Sequence, residues 1–395
     1  MVPMNMLDYL EWRGDLSFES DPLNEVDALI LSLISYYKFE QFSTIAGRVA
    51  GYTLAEYVRL HDDNSSVFGD INREIDIESD IFPSKTAPFV LCKAVKTKRF
   101  AGVRIVDFRN VFDEDRVVQF AAMTFDLGNG DYVVAYRGTD ASIVGWKEDC
   151  MLSYLPEIPG QTEAVGYFNE TEPGKRYYIV GHSKGANEAL YAYLKMNEDR
   201  LNDVVAVYNF DGPGFLENNQ DSPRYQKTKD KIHTFVPSHS IVGMLLEHEK
   251  DYVAVKSQGY GIKQHNPLFW EVKGAGLVTE LNNEWVREVA DLTFADFLKE
   301  MSLEDRKFVT ETVFAIVNNC GVKSFSELYK NPIKNTRIIM ASYSKLPDEQ
   351  KEKLVKASKT LGLSWASSYR YGIGEVKPGD NKPLLRTFFK FWKGV

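Results

Sequence analysis

Apolar positions in the middle of the chain form short runs that are typical of buried β-strands. From residue 117 to residue 255 these runs alternate with helical or turn segments, which is the pattern of a mostly parallel sheet covered by helices. Near-continuous apolar runs predict strands that are buried on both faces. The predicted strands are 118–125, 132–136, 177–180, 204–210, 232–236 and 252–255.

Helical spacing of apolar residues dominates both ends of the chain. Residues 21–37 predict a buried amphipathic helix, whereas the polar and acidic residues 65–89, with two prolines, predict a loop. After residue 276 the pattern is helical, and the helices predicted there are 283–298, 303–317, 325–328 and 349–361. We therefore expect an α/β domain over residues 1–275 and a helical C-terminal region over residues 276–395.

Composition and charge narrow the range of partners. The formal net charge is −9 and no basic stripe occurs, so nucleic acid is not expected to bind. Three scattered cysteines indicate neither a disulfide framework nor a metal site, and no cofactor is predicted. The N-terminus lacks a signal-peptide pattern and no apolar run is long enough to cross a bilayer, so we expect a cytoplasmic protein. The basic, aromatic stretch LLRTFFKFWKGV could contact an anionic membrane, although a packed terminal helix is the favoured interpretation.

The sequence GHSKG matches the GxSxG pattern of a nucleophile elbow, with Ser183 as the nucleophile. A predicted strand precedes the motif and a predicted helix follows it, as the mechanics of the elbow require. At the start of that helix, the backbone amide of Lys184 is a candidate oxyanion donor. Thr139, after a strand that ends in YRGT, is the second candidate donor, through its amide and its hydroxyl. The alternatives are a chance GxSxG match and a Thr139 that merely caps the next element.

The segments YRGT and GHSKG, with Trp146 and Asp149 between them, resemble the class 3 lipases. The chain is more closely similar to a bacterial lipase-like family, domain of unknown function 2974, through EWRGDLSF, GHSKGAN, NFDGPGF, VPSHSIVGMLLEH and QHNPLFW. That resemblance extends from about Leu7 to Trp270 and implies an α/β-hydrolase fold with lipase-like chemistry. Lys184 departs from the apolar residue of class 3 lipases, which argues against a strongly apolar entrance at the elbow.

Four histidines follow Ser183, as the chain order of this fold requires of the catalytic base. They are His233, His239, His248 and His265. His265 lies in a loop after the last predicted strand, where the family resemblance also implies the catalytic histidine, and it is the predicted base. His239, at the end of a predicted strand, is the alternative.

The acid is harder to assign, because Ser238, His239 and Ser240 stand where class 3 lipases have an aspartate. Asp211 ends the preceding predicted strand at the same edge of the sheet, so it could orient His265. An equally weighted alternative is that Asp211 only bonds amides of its own turn. A dyad of Ser183 and His265, supported by a hydroxyl such as Ser240, would then remain.

These residues predict a serine hydrolase that cleaves an acyl ester or lipid through an acyl-enzyme on Ser183. The competing hypothesis is a catalytically weakened hydrolase fold that binds a ligand or a partner. A third hypothesis makes the helical C-terminal part a docking or membrane-contact module.

Overall fold

A seven-stranded sheet forms the centre of the protein, and its strands lie side by side in chain order. The computed structural model describes residues 4–68, 83–238, 240, 242–259, 261–280 and 301–357. The strands are β1 (Arg104–Asp113), β2 (Val118–Asp126), β3 (Asp131–Tyr136), β4 (Arg176–His182), β5 (Val204–Phe210), β6 (Ile232–Pro237) and β7 (Tyr252–Val255). β1, β2 and β3 pair antiparallel, whereas β3 to β7 pair in parallel. A small hairpin of β8 (Val272–Lys273) and β9 (Gly276–Leu277) follows.

The predicted fold class is confirmed: the sheet is mostly parallel, helices cover it, and a helical C-terminal region follows. All six predicted strands are present, with ends shifted by at most two residues. β1 was not predicted. It is an edge strand in which only Ile105 is buried, so its sequence lacks the apolar run that marks the central strands.

The helices of the described residues fall into three groups along the chain. Before the sheet lie α1 (Met6–Arg13), α2 (Glu25–Ile34), α3 (Ser43–Ala46), α4 (Leu54–Asp63), α5 (Ser65–Phe68), α6 (Pro83–Ala94) and α7 (Lys98–Ala101). Between its strands lie α8 (Ile143–Met151), α9 (Pro159–Glu170), α10 (Lys184–Lys195) and α11 (Pro223–Thr228). After it lie α12 (Leu303–Asn318), α13 (Phe325–Lys330), α14 (Pro332–Ser344) and α15, residues 348–357.

The two faces of the sheet are buried against different helices. Along β3, Val133 and Ala135 pack with the N-terminal helices, whereas Val134 and Tyr136 pack with α9 and α10. Because successive side chains of a strand point to opposite faces, an uninterrupted apolar run is what a sheet covered on both sides needs.

The prediction of a loop over residues 65–89 is wrong at both ends of the segment, because α5 and the first turns of α6 lie there. Residues 69–82 are outside the described ranges. Pro83 occupies the first position of α6, where a missing N–H costs nothing. Pro88 lies inside the helix and removes one backbone hydrogen bond. Burial of Val90 and Leu91 in the N-terminal core offsets that loss.

In the C-terminal region the helices predicted at 303–317 and 325–328 are confirmed as α12 and α13. The helix predicted at 349–361 is present as α15 as far as residue 357. Three predicted segments lie outside the described ranges: the last residues of that helix, the helix 283–298 and the tail LLRTFFKFWKGV. α14 was not predicted. Phe314 and Val317 of α12 pack against Ile143 of α8, which joins this region to the sheet domain. The division at residue 275 stays a prediction.

Among the described residues, no helix combines the length and the hydrophobicity that crossing a bilayer requires.

Candidate active site

Ser183 occupies a sharp turn between the end of β4 at His182 and the start of α10 at Lys184. Its φ of 60° and ψ of −132° are strained for a residue with a side chain, as a nucleophile elbow requires. The turn depends on two glycines. A Cβ on Gly181 would lie 2.2 Å from the backbone oxygen of Gly185, and a Cβ on Gly185 would lie 2.2 Å from that of Tyr136. Ser183 is partly exposed.

His265 and Asp211 meet at the same edge of the sheet as Ser183. Asp211 directly follows β5 and is fully buried, and its Oδ2 lies 2.6 Å from Nδ1 of His265, at the end of the 3-10 helix Gly261–His265. His265 lies against the elbow, because its ring centroid is 4.5 Å from that of His182. A hydrogen bond from Nδ1–H to Asp211 leaves the other ring nitrogen of His265 able to accept a proton.

Two further donors hold the Asp211 carboxylate. The Ser240 hydroxyl donates to Oδ2 at 2.8 Å, and the Gly243 backbone N–H donates to Oδ1 at 3.0 Å. In the local turn, the Gly212 N–H donates instead to the side-chain oxygen of Asn209, at 3.1 Å. Asp211 therefore bonds residues from distant segments, and the Ser240 hydroxyl donates its proton to the aspartate.

The remaining histidine candidates have different surroundings. His233 lies near the amino end of β6, where its ring stacks on Tyr208, on the opposite edge from Ser183. The Nδ1 of His248 lies 3.3 Å from the backbone oxygen of Leu246. His239 is outside the described residues.

Thr139 lies after β3, beside the elbow, and its hydroxyl donates to the Asp149 carboxylate at 2.7 Å. The sequence predicts that this hydroxyl also donates to an oxyanion. Asp149 competes with the oxyanion for the hydroxyl, because the single proton of the hydroxyl points at Asp149. The amides of Thr139 and Lys184 have no hydrogen-bond acceptor among the described residues. Burial raises the pKa of Asp149 to about 6, although the nearby Lys184 ammonium acts to lower it.

Replacing Thr139 with valine tests this arrangement. Valine keeps the shape but removes the bond to Asp149 that holds the turn, so we expect the acylation rate to fall by about 100-fold. Burst kinetics with a p-nitrophenyl ester would measure it, and Thr139→Ser, which retains the hydroxyl, is the matched control. A Thr139→Val variant that loses only thermal stability would instead give Thr139 a capping role.

Sequence similarity connects the chain to a known protein family. The sequence profile of the Mbeg1-like family matches residues 94–315. The chain belongs to the Mbeg1-like family. This is a lipase-like family, so the lipase-like part of the resemblance is confirmed. No curated protein sequence matches the chain. Among solved structures, a crystal structure of M37 lipase is similar with 17% identity and a TM-score of 0.35, over 56% of this chain and 70% of that one.

In this member of the Mbeg1-like family, the side chain of Lys184 does not face the entrance of the site. It is buried, with its ammonium 2.6 Å from a carboxylate oxygen of Glu148, 3.7 Å from one of Glu188 and 2.5 Å from the backbone oxygen of Gln119. Burial lowers the pKa of Lys184, but the carboxylates of Glu148, Glu188 and Asp149 together raise it above its ordinary value. The Lys184 charge, which distinguishes GHSKG from the motif of class 3 lipases, is therefore part of a buried ion pair beneath the elbow.

The carboxylates of Glu148 and Glu188 differ in the number of hydrogen bonds that they accept. Glu148 also accepts hydrogen bonds from the backbone amides of Gln119 and Gly160, at 3.0 and 2.8 Å. Neither carboxylate oxygen of Glu188 has a hydrogen-bond donor in the described part of the chain. Burial raises the pKa of Glu188 well above its ordinary value. Lys184 therefore compensates mainly the charge of Glu148.

Sequence reasoning missed a contact that joins the elbow to the loop of His265. Nε2 of His182 lies 2.8 Å from the backbone oxygen of His265, and the Tyr36 hydroxyl lies 3.1 Å from Nδ1 of His182. Burial lowers the pKa of His182 well below its ordinary value, so the ring is neutral. A carbonyl can only accept, so Nε2 carries the proton, and the single proton of the Tyr36 hydroxyl is shared between Nδ1 and the backbone oxygen of His182, which also lies 3.1 Å away. No local signal marks Tyr36, which lies 146 positions before His182.

Proposed function

We propose that the protein is a serine esterase or lipase that hydrolyses an acyl ester or lipid through an acyl-enzyme on Ser183. The observation that carries the proposal is the 2.6 Å contact between His265 and the buried Asp211, beside a strained serine at a strand-to-helix turn. Membership of a lipase-like family supports the same chemistry.

In the acylation step, His265 takes the proton of the Ser183 hydroxyl as Oγ bonds to the carbonyl carbon of the ester. The negative charge on the carbonyl oxygen is stabilised by the amides of Thr139 and Lys184, at the positive end of the α10 dipole. The bond to the alcohol then breaks, and the alcohol leaves with the proton from His265. Water repeats the sequence on the acyl-enzyme and releases the acid.

Asp211 has two tasks in this scheme. Its carboxylate keeps the proton of the neutral imidazole on Nδ1, and it stabilises the imidazolium that forms during each step. Ser240 and the Gly243 amide fix the carboxylate in turn. The binding-module hypothesis depends on a missing acid and on the charge of Lys184. Both grounds are weakened, because a carboxylate faces His265 and the lysine is paired with Glu148.

A fluorophosphonate probe tests the proposal without a known substrate, because it reacts with activated serines of many hydrolases. We expect stoichiometric labelling of the native wild-type protein on the peptide that contains Ser183, and none of Ser183→Ala. The second control is Ser153→Ala, a serine whose hydroxyl donates to the Cys150 carbonyl at 2.7 Å in a helix-end turn; this variant should label like wild type. A native wild-type protein that is not labelled would favour the binding module.

A further inference from the structure

The solvent-facing side of α14 carries an unusual set of side chains. One face of this helix, with Asn335 and Ser342, turns inward: the side-chain amide of Asn335 donates to the Leu328 carbonyl, and Asn319 of the α12 end donates to the Ser342 hydroxyl. Ile333, Arg337 and Met340 repeat at intervals of four and three residues, so they share the opposite face. Ile333 is 71% exposed and Met340 37%. Apolar side chains therefore lie where a surface helix normally presents polar ones.

The charged side chains within residues 330–345 all have one sign. Residues 330–345 contain four cationic side chains and no aspartate or glutamate, in a chain whose formal net charge is −9. The four, Lys330, Lys334, Arg337 and Lys345, are exposed. Tyr329, at the end of α13, is 61% exposed beside them. This surface, Tyr329 to Lys345, is thus both basic and apolar within an acidic protein.

We propose that the surface Tyr329 to Lys345 docks the protein onto an anionic lipid bilayer. Large apolar side chains flanked by lysine and arginine on one side of a helix are the pattern of helices that lie in the membrane interface. The cations attract anionic headgroups, while isoleucine, methionine and tyrosine side chains insert at the boundary of headgroups and acyl chains. An acidic protein partner fits less well, because three of the four cations are lysines, and lysine is depleted in the buried centres of protein interfaces.

This docking does not depend on the proposed hydrolysis. It concerns helices remote in sequence from the residues of the candidate site, and it needs no reaction on Ser183. The lipid test can therefore use vesicles of ether-linked lipids, which contain no acyl ester, and Ser183→Ala should bind them like wild type. Failure of docking and failure of catalysis then give separate results.

The test is flotation of the full-length protein with vesicles of ether-linked phosphatidylcholine, with and without an ether-linked phosphatidylserine fraction. We expect wild type to float with the anionic vesicles only, and to dissociate as salt is raised. The double variant Lys334→Ala and Arg337→Ala should bind about 25-fold more weakly, at about fivefold per charge. Ile333→Ser with Met340→Ser should weaken binding by about tenfold or more at constant charge.

Matched variants elsewhere on the surface control for charge and hydrophobicity. Lys96→Ala with Lys98→Ala removes the same charge, and Val106→Ser with Phe112→Ser removes two exposed apolar side chains of β1. Both controls should float like wild type, and all variants should keep wild-type circular dichroism because the changed side chains are exposed.

Three results would overturn the proposal. The first is α14 variants that bind like wild type, which would assign binding to another part of the chain. The second is equal binding to neutral and anionic vesicles. The third is a wild type that ignores vesicles but binds soluble polyglutamate through α14, which would assign the surface to an acidic protein.

Discussion

Replacement of Asp211 by asparagine should lower kcat by about 10⁴-fold, nearly as far as His265→Ala. The loss of kcat depends on how the side-chain amide of the new asparagine is oriented. The Gly243 N–H is a fixed backbone donor to Oδ1 of Asp211, so the asparagine oxygen must take that position. Its NH2 group then faces His265, where Asp211 Oδ2 now lies. The imidazole must present a lone pair on Nδ1 and a proton on Nε2, so it can no longer accept the proton of Ser183.

Steady-state hydrolysis of a short p-nitrophenyl ester by Asp211→Asn, His265→Ala and the double variant would measure this effect. The double variant should be no slower than His265→Ala, because the aspartate acts only through the histidine. Ser240→Ala is the matched control. It removes one of the donors to Asp211 but leaves His265 and Gly243 in place, so turnover should change by less than about tenfold. An Asp211→Asn enzyme with near-wild-type turnover and a lower melting temperature would make Asp211 a structural residue.

Replacement of Lys184 by methionine should lower the free energy of unfolding by about 3 to 5 kcal/mol. Methionine fills a similar volume, so the loss is mainly electrostatic. The variant leaves the Glu148 carboxylate buried without its ammonium partner and the Gln119 carbonyl without a side-chain donor. Urea unfolding followed by tryptophan fluorescence would measure the change, provided that the m-value stays constant.

Lys195→Met is the matched control for this measurement. It makes the same chemical change at the other end of α10, where the lysine is exposed, and should alter stability by no more than about 0.5 kcal/mol. The double variant Lys184→Met and Glu148→Gln removes both charges of the pair, so it should lose less than Lys184→Met alone. Equal losses for Lys184→Met and Lys195→Met would contradict a stabilising role of the buried pair.

The elements that were predicted correctly have a local cause in the sequence. The run 204–210 is apolar almost throughout, and burial on both faces of the sheet requires that pattern, so β5 could be assigned from its own residues. The helix 303–317 follows Ser302, whose hydroxyl accepts the Asp305 N–H as an N-cap. By contrast, β1 has one buried residue, and its pairing with β2 decides its structure. Pro88 favoured a loop, but tertiary burial of the surrounding apolar residues made the segment helical.

The sequence by itself determined the strand-to-helix turn and the place of Ser183 in it, because a strand, GHSKG and a helix are adjacent along the chain and the two glycines act on neighbouring backbone. Only the tertiary structure decided what surrounds Ser183. Asp211 and His265 are 54 positions apart, and they meet because the parallel strands all end at one edge of the sheet. Lys184 and Glu148 are 36 positions apart, so nothing local to GHSKG foretold that the lysine is buried. Backbone propensity and periodicity act over a few residues, whereas hydrogen bonds and ion pairs of buried side chains depend on which segments the fold brings together.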